Sequence, residues 1–169
     1  GLNWDHDMSP WAIPPIAPGD TPCTGGADEY LALLIEEIVP AVEDKISGEP
    51  SCRALAGYSL AGLFALYTAY QTDLFTRIAS VSGSLWFPKF MKYVLSHEMK
   101  ASVSHLYLSL GDKEAKTHNP YLKIVEENTE KIFDHFKEKG LRTTFELNPG
   151  NHFQQPNERT AAGIVWILK

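Results

Sequence analysis

Ser59 lies in the setting of a catalytic nucleophile. Residues 57–62 read Gly-Tyr-Ser-Leu-Ala-Gly and separate a strand-like apolar run, residues 52–56, from a helix-like run, residues 61–70. A serine at such a junction is held in a tight strand-to-helix turn that exposes its hydroxyl, and small residues on both sides let the two elements approach each other. The turn also aims the backbone N–H of Leu60, at a helix N-terminus, toward negative charge that forms beside the serine. The pattern predicts a nucleophilic serine with Leu60 in its oxyanion hole.

The same pattern has a second interpretation, because a serine in an ordinary turn can simply cap a helix. Two groups further along the chain favour the catalytic one. Asp112 and Glu114 follow a predicted strand, residues 104–110, and His152 follows another, residues 142–147. Side chains that follow parallel strands gather at one edge of a sheet, so we expect these groups to meet the serine there. The chain order serine, acid, histidine is the one that hydrolases with this turn use.

The three residue types supply complementary parts of one reaction. A serine hydroxyl is a poor nucleophile near neutral pH, so His152 would take its proton during attack and deliver it to the leaving oxygen. A carboxylate would hold the imidazole in one tautomer and stabilise the imidazolium. Asp112 directly follows Gly111, whereas Glu114 lies two residues further on and reaches further. The residues alone therefore leave the acid open, and the carboxylate that is not used would be a solvated turn residue.

Alternating strands and helices must position these groups. We predict strands at residues 53–56, 78–82, 104–110 and 142–147. We predict helices at residues 28–46 with a kink at Pro40, and at residues 61–70, 89–95, 119–140 and 157–168. Residues 1–4 are expected to end a strand, and the Pro- and Trp-rich residues 5–26 to form a long ordered loop. The alternation predicts an α/β domain with a mostly parallel sheet and helices on both faces.

Length and composition exclude several classes of protein. A chain of 169 residues with 44% hydrophobic and 21% charged residues fits one soluble globular domain. Its net charge of −6, without a basic block, argues against a nucleic-acid partner. No apolar run reaches the roughly 18 residues of a membrane span, and we expect a cytoplasmic location. Cys23 and Cys52 lack metal-ligand spacing, although a disulfide between them stays open.

Four motifs carry a family resemblance: residues 36–40 (Glu-Glu-Ile-Val-Pro), 56–63 (Ala-Gly-Tyr-Ser-Leu-Ala-Gly-Leu), 82–86 (Ser-Gly-Ser-Leu-Trp) and 150–153 (Gly-Asn-His-Phe). Over nearly its whole length, the sequence resembles the esterase family of the α/β-hydrolase superfamily, near the siderophore (enterobactin) esterases. The resemblance implies a three-layer α/β-hydrolase sandwich. It also implies that a small-molecule carboxylic ester is hydrolysed by a Ser-His-acid triad through an acyl-enzyme, with no cofactor or metal.

The resemblance also assigns two further residues. The family's acid usually falls three residues after the glycine that ends the strand, which is Glu114 here. Trp86 would line the substrate pocket, although a buried core aromatic is an equally good interpretation of this residue.

One departure from the family pattern concerns the start of the chain. The family fold has three strands before the one predicted to end at Trp4, and the third of them supplies the second oxyanion-hole amide. We therefore expect residues 1–169 to be the C-terminal portion of a longer single domain. Loss of one oxyanion donor costs about 10²–10³ in rate in other serine hydrolases, so we expect low activity from this chain alone. Two alternatives stay open: acyl transfer to a sugar or alcohol, and a truncated non-catalytic fold.

Overall fold

Six strands and seven helices make up the computed structural model, which describes residues 1–100 and 102–169. The strands are β1 (Ala12–Ile13), β2 (Cys23–Thr24), β3 (Ala54–Tyr58), β4 (Arg77–Val81), β5 (His105–Gly111) and β6 (Arg142–Asn148). The helices are α1 (Trp4–Asp7), α2 (Ala27–Leu33), α3 (Val39–Glu43), α4 (Leu60–Gln71), α5 (Phe90–Ser96), α6 (Val125–Glu138) and α7 (Pro156–Ile167). A π-helical turn, Leu34–Ile38, joins α2 to α3, and a 3-10 turn, Leu122–Ile124, leads into α6.

The central sheet has the order β3-β4-β5-β6, and all its strands are parallel. Its register aligns the carboxyl ends of the strands: Tyr58 pairs with Val81, Val81 with Ser109, and Gly111 with Asn148. The loops that follow β3, β5 and β6 therefore leave the sheet at a common edge.

Side chains alternate between the two faces of this sheet, as the pleat requires. Ile78, Leu106 and Leu108 point into the larger core, which includes α4, α5 and α6. Val81 and Tyr107 point to the other face, where they pack against α7. These layers confirm the predicted α/β arrangement with a parallel sheet and helices on both faces.

The four predicted strands and the helices at residues 61–70, 89–95 and 157–168 are confirmed to within two residues at each end. The helix predicted at residues 119–140 begins later, as the 3-10 turn, because Asn119 first forms a turn in which its Oδ1 accepts the Tyr121 N–H at 2.9 Å.

Two predictions for the first third of the chain need correction: one strand is absent from residues 1–4, and one helix is irregular and ends early. Residues 1–4 do not end a strand: α1 begins at Trp4, and the Asp7 carboxylate accepts the Asn3 N–H at 2.8 Å across this turn. The helix predicted at residues 28–46 is interrupted by the π-helical turn and ends at Glu43. Pro40 lacks the N–H of a regular helix and crowds the preceding turn, so the backbone widens just before it.

Residues 5–26 form the ordered loop that was predicted, with most of α1 and the short β1–β2 hairpin inside it. Residues 1–26 together are called the N-terminal segment. Trp11 attaches it to the rest of the molecule. The indole Nε1 donates to the Pro88 carbonyl at 3.0 Å, and the ring packs against Phe87, Phe90 and Tyr93 with centroid distances of 5.8, 6.2 and 5.7 Å. No helix within the described residues is long and apolar enough to cross a membrane.

Candidate active site

The turn between β3 and α4 holds Ser59 in a strained conformation. Its φ is 60° and its ψ is −125°, a region that a non-glycine residue rarely adopts. The small neighbours make this turn possible, because a Cβ at Gly57 would overlap the Ala61 carbonyl oxygen. The Ser59 N–H donates to the Val81 carbonyl at 3.0 Å, which fixes the turn to the adjacent strand. The structure thus contains the strand-serine-helix turn that the sequence predicts.

Three predicted site residues meet at the carboxyl edge of the sheet. His152 Nε2 lies 3.0 Å from Ser59 Oγ, and His152 Nδ1 lies 2.7 Å from Glu114 Oε2. An ionised carboxylate only accepts, so Nδ1 carries the proton donated to Glu114 and Nε2 is left to accept the serine hydroxyl. This hydrogen-bond chain can move the serine proton to the imidazole.

Glu114 is buried, with 5% of its side chain exposed. Burial raises the pKa of its carboxyl, but the hydrogen bonds from His152 and from the Gly111 N–H outweigh burial, so the pKa lies below its ordinary value. The Gly111 N–H donates to Oε1 at 2.7 Å, which leaves Oε2 for the imidazole. Glu114 therefore stays ionised beside His152 at neutral pH.

Asp112, the alternative acid, makes its hydrogen bonds to the backbone of the turn before His152. Its Oδ1 accepts the Gly150 N–H at 2.7 Å, and the Asp112 N–H donates to the Asn148 carbonyl at 2.7 Å. Asp112 thereby ties its own loop to the turn that leads to His152. Of the two carboxylates, Glu114 is the one that contacts the imidazole.

Ser59, Leu60, Glu114 and His152 open into a cavity of about 660 Å³. That volume is in the range of small-molecule sites. Leu60 is the first residue of α4, so its backbone N–H lies at the helix N-terminus, as the sequence predicts. Trp86 is half-buried and lines the same cavity, in addition to packing against Phe87 at 5.9 Å between ring centroids. It thus fits both interpretations made from the sequence.

The N-terminal segment supplies the facing wall of the cavity, with Trp4, Asp5, Ile13, Asp20 and Cys23 among its residues. Cys23 contributes a thiol to the cavity lining, and both it and Cys52 are free thiols. Burial, followed by the charge of Asp5, raises the pKa of the Cys23 thiol to about 11. Since only a thiolate is strongly nucleophilic, Ser59 is the stronger candidate.

Sequence reasoning missed two residues that support this cluster. Arg159 donates through Nη1 to Glu114 Oε1 at 3.2 Å, and the Tyr58 hydroxyl donates to the His152 carbonyl. Arg159 did leave a signal, because it shares the apolar face of its helix with Gly163 and Ile167 at a spacing of four residues. The Tyr58 contact joins residues 94 positions apart and has no local signal.

Within residues 1–100 and 102–169, no group of three His, Cys, Asp or Glu side chains is placed to hold a metal ion.

The fold is that of the α/β-hydrolases, and comparison with known proteins identifies the family. A family model described as "Putative esterase" matches residues 5–155, and the chain belongs to this family. Two curated relatives are similar to it. One is the uncharacterized protein YbbA of Bacillus subtilis, 23% identical over 138 residues, which are 80% of this chain and 55% of that protein. The other is a siderophore enterobactin esterase of Emericella nidulans, 37% identical over 90 residues, which are 48% of this chain and 30% of that protein.

Among solved structures, the chain resembles an IroE-like serine hydrolase from Shewanella oneidensis. The TM-score is 0.77 at 20% identity, and the match covers 97% of this chain and 56% of the other. The chain spans about half the length of YbbA and of this hydrolase.

Proposed function

We propose that this protein is a serine carboxylic-ester hydrolase that acts through an acyl-enzyme at Ser59. The observation that carries the proposal is the continuous hydrogen-bond chain from Ser59 through His152 to the buried Glu114, at the opening of a small-molecule cavity. These are the parts of a serine nucleophile, a general base and an orienting acid. The names of two similar proteins, a siderophore enterobactin esterase and a serine hydrolase, support the same class.

The proposed acylation step follows from the contacts. The Ser59 oxygen attacks the ester carbonyl carbon while its proton passes to His152 Nε2. The Leu60 N–H stabilises the negative charge that develops on the carbonyl oxygen, and Glu114 stabilises the imidazolium. The C–O bond to the leaving alcohol then breaks, and the proton on Nε2 passes to the departing oxygen. This leaves an acyl group on the serine and a free alcohol.

Deacylation repeats these steps with water. His152 Nε2 takes a proton from a water molecule, whose oxygen attacks the acyl carbon. The bond to the Ser59 oxygen breaks, and the proton on Nε2 returns to the serine. The products are the carboxylic acid and the resting protein.

The charge of the cavity points to a class of ester. Asp5, Asp20 and Glu114 line it, and no lysine or arginine of the described residues does so. A recessed site with one sign of charge repels ligands of that sign. We therefore propose that the preferred acyl group is neutral or cationic, and that its apolar part contacts the rings of Trp4 and Trp86.

Covalent labelling tests the hydrolase proposal. We expect a fluorophosphonate probe to label the protein at Ser59, and p-nitrophenyl acetate to be turned over. Both should be lost in Ser59→Ala and kept in Ser96→Ala, a control because Ser96 is exposed at the end of α5. A protein that shows neither activity would be a non-catalytic fold. If both activities survive in Ser59→Ala, another group is the nucleophile.

An added alcohol separates hydrolysis from acyl transfer. The acyl-enzyme of a hydrolase partitions to water, so the acid should remain the main product when a sugar or simple alcohol is present. An ester of the added alcohol as main product would instead indicate an acyltransferase.

A further inference from the structure

The buried face of α7 contains one charged residue. The buried residues of this helix are Arg159, Gly163 and Ile167, and the arginine is only 2% exposed. Taking a guanidinium out of water is costly unless hydrogen bonds and charge compensate it. The identity of its partners therefore indicates what the arginine does.

Its partners lie on both loops that position the candidate site. Nη1 donates to Glu114 Oε1 and to Ser82 Oγ, both at 3.2 Å, and Nη2 donates to the Pro149 carbonyl at 3.0 Å. Glu114 is on the loop after β5, and Pro149 begins the turn that leads to His152. One rigid, planar group thus connects the loop of the acid to the turn of the histidine.

The contacts also determine which oxygen of the Glu114 carboxylate is available to the imidazole of His152. Glu114 Oε1 accepts from both Arg159 and the Gly111 N–H, and Oε2 accepts from His152. With two donors on one oxygen, the carboxylate cannot rotate without losing both. The imidazole is then held in the orientation that keeps Nε2 within 3.0 Å of the Ser59 hydroxyl.

A purely structural role explains Arg159 less well. A buried ion pair contributes little net stability compared with apolar residues of the same volume. Within the described residues, Arg159 Nε is itself buried without a hydrogen-bond partner. The far end of α7 has a separate attachment, since Arg77 Nη1 donates to the Ile167 carbonyl at 2.7 Å.

We propose that Arg159 is a positioning residue of the site: its guanidinium holds the Glu114 carboxylate and the Pro149 turn in register, so that His152 stays aligned on Ser59. Its catalytic consequence rests on the proposed hydrolase function. The contact with Glu114 can be measured without any reaction, because the arginine adds a positive charge beside a titrating carboxyl.

The groups that influence this carboxyl come from several elements. His152 and Arg159 contact Glu114 directly, from the turn before α7 and from α7 itself. Farther charged or titratable groups are Asp112 and Lys113 on the same loop, and Asp5, Asp20 and Cys23 in the cavity wall. None of these farther groups is altered by the variants below.

The test compares Arg159→Met and Arg159→Lys with Arg77→Met, a matched loss of a carbonyl-bonded arginine that does not touch the cluster. The Glu114 carboxyl is titrated by ¹³C NMR in glutamate-labelled protein, with Glu114→Gln to assign the signal. Fluorophosphonate labelling rates are measured in parallel. We expect Arg159→Met to raise the pH midpoint of Glu114, because the cation that contacts this carboxylate is lost. It should also slow labelling by about 10–100-fold through misalignment.

The lysine variant separates charge from geometry. Arg159→Lys keeps the positive charge but loses the planar guanidinium, whose several N–H groups reach several acceptors. The pH midpoint of Glu114 should therefore move little, while fluorophosphonate labelling should slow several-fold. Arg77→Met should change neither quantity.

The outcomes are distinguishable. A folded Arg159→Met protein with the wild-type midpoint and labelling rate would overturn the inference, and so would equal changes in Arg77→Met. If Arg159→Met does not fold, Arg159→Lys provides the test. A wild-type labelling rate in that variant would also overturn the inference. If the wild-type protein is not labelled at all, the hydrolase proposal fails. An unchanged Glu114 midpoint in Arg159→Met would then overturn the inference separately, because the guanidinium would not act on this carboxylate.

Discussion

The two walls of the cavity are built in different ways. The side chains of the sheet-edge cluster, comprising Ser59, Glu114, His152 and Arg159, are joined to one another by hydrogen bonds. Glu114 follows β5, which is buried along its whole length, and the Ser59 turn is bonded to the last residue of β4, which is mostly buried. The N-terminal segment has two strands of two residues each and a helix of four. Trp4, which lies in this segment, is 43% exposed.

This difference shows which wall of the cavity must hold its atoms in fixed positions. Proton transfer fails when groups move by about 1 Å, so the proposed reacting groups need the close hydrogen bonds that join them. A substrate wall can tolerate more movement, and loops on a rigid scaffold commonly carry specificity. We infer that the sheet-edge cluster determines the rate of the chemical step and that the N-terminal segment determines which ester enters. Changes in the two regions should therefore affect different kinetic constants.

The largest effect should come from the acid itself. Glu114→Gln keeps the shape of the side chain but removes the charge that orients and stabilises the imidazole, so we expect kcat to fall by about 10³–10⁴-fold. Asp112→Asn is the matched control, because an amide oxygen can still accept the Gly150 N–H, and we expect kcat to stay within about tenfold. Steady-state rates with p-nitrophenyl acetate measure both. The reverse order of effects would make Asp112 the acid.

The next effect concerns the turn that holds the nucleophile. Gly57→Ala places a Cβ against the Ala61 carbonyl oxygen, and β3 and α4 must separate to relieve the overlap. We expect the free energy of unfolding to fall by about 2–4 kcal/mol, as overpacking at a backbone contact does. Urea unfolding measures it. Gly48→Ala is the control, since its Cβ meets only open space and its positive φ costs about 1 kcal/mol. Equal losses in both variants would contradict the steric argument.

Weaker attachment of the N-terminal segment should have a smaller effect, and that effect should be on substrate binding. Trp11→Ala removes the ring that packs on Phe87, Phe90 and Tyr93, which loosens the facing wall of the cavity. We expect KM to rise about 3–30-fold while kcat changes less than about threefold, because uniform binding is lost and transition-state contacts are kept. Leu2→Ala, at an exposed residue of the same segment, should change neither constant. A loss confined to kcat would mean that this wall takes part in the chemical step.

Substrate charge tests the same region. Among p-nitrophenyl esters with acyl groups of equal length, we expect kcat/KM to be roughly 10–100-fold higher for a neutral or cationic acyl group than for an anionic one. Asp20→Asn should narrow this difference. If the protein hydrolyses all three esters equally, the site is an esterase without charge selection.

The smallest effect is the pH dependence of stability. The pKa of Glu114 is lower in the folded protein than in the unfolded chain, so the unfolded state binds the proton more tightly. The stability from this carboxylate is therefore fully present above its unfolded pKa and is lost as the pH falls through the lower folded pKa. Urea midpoints measured from pH 7 down to acid should fall less steeply in Glu114→Gln than in the wild type. Parallel curves would exclude this carboxyl as a source of acid sensitivity.

Local patterns were sufficient for most of the sheet and for the nucleophile turn. Residues 57–62 combine small side chains with flanking apolar runs, and these requirements act between neighbours in the chain. β4 and β5 were found because buried parallel strands are short apolar runs that end in glycine or polar residues. The N-terminal strand was mispredicted because Trp4 is compatible with several conformations and the Asn3–Asp7 hydrogen bond decides among them.

The sequence by itself determined the residue types of the candidate site, their order along the chain and the strand ends that carry them, because these depend on contacts within a few residues. Only the tertiary structure decided that Glu114 rather than Asp112 contacts the imidazole. It also showed that Arg159 donates a hydrogen bond to Glu114 from 45 residues away, and that the N-terminal segment lines part of the cavity. The physical reason is that hydrogen-bond partners are selected to within a few tenths of an ångström. That selection depends on how loops from separate strands pack together, which no local pattern records.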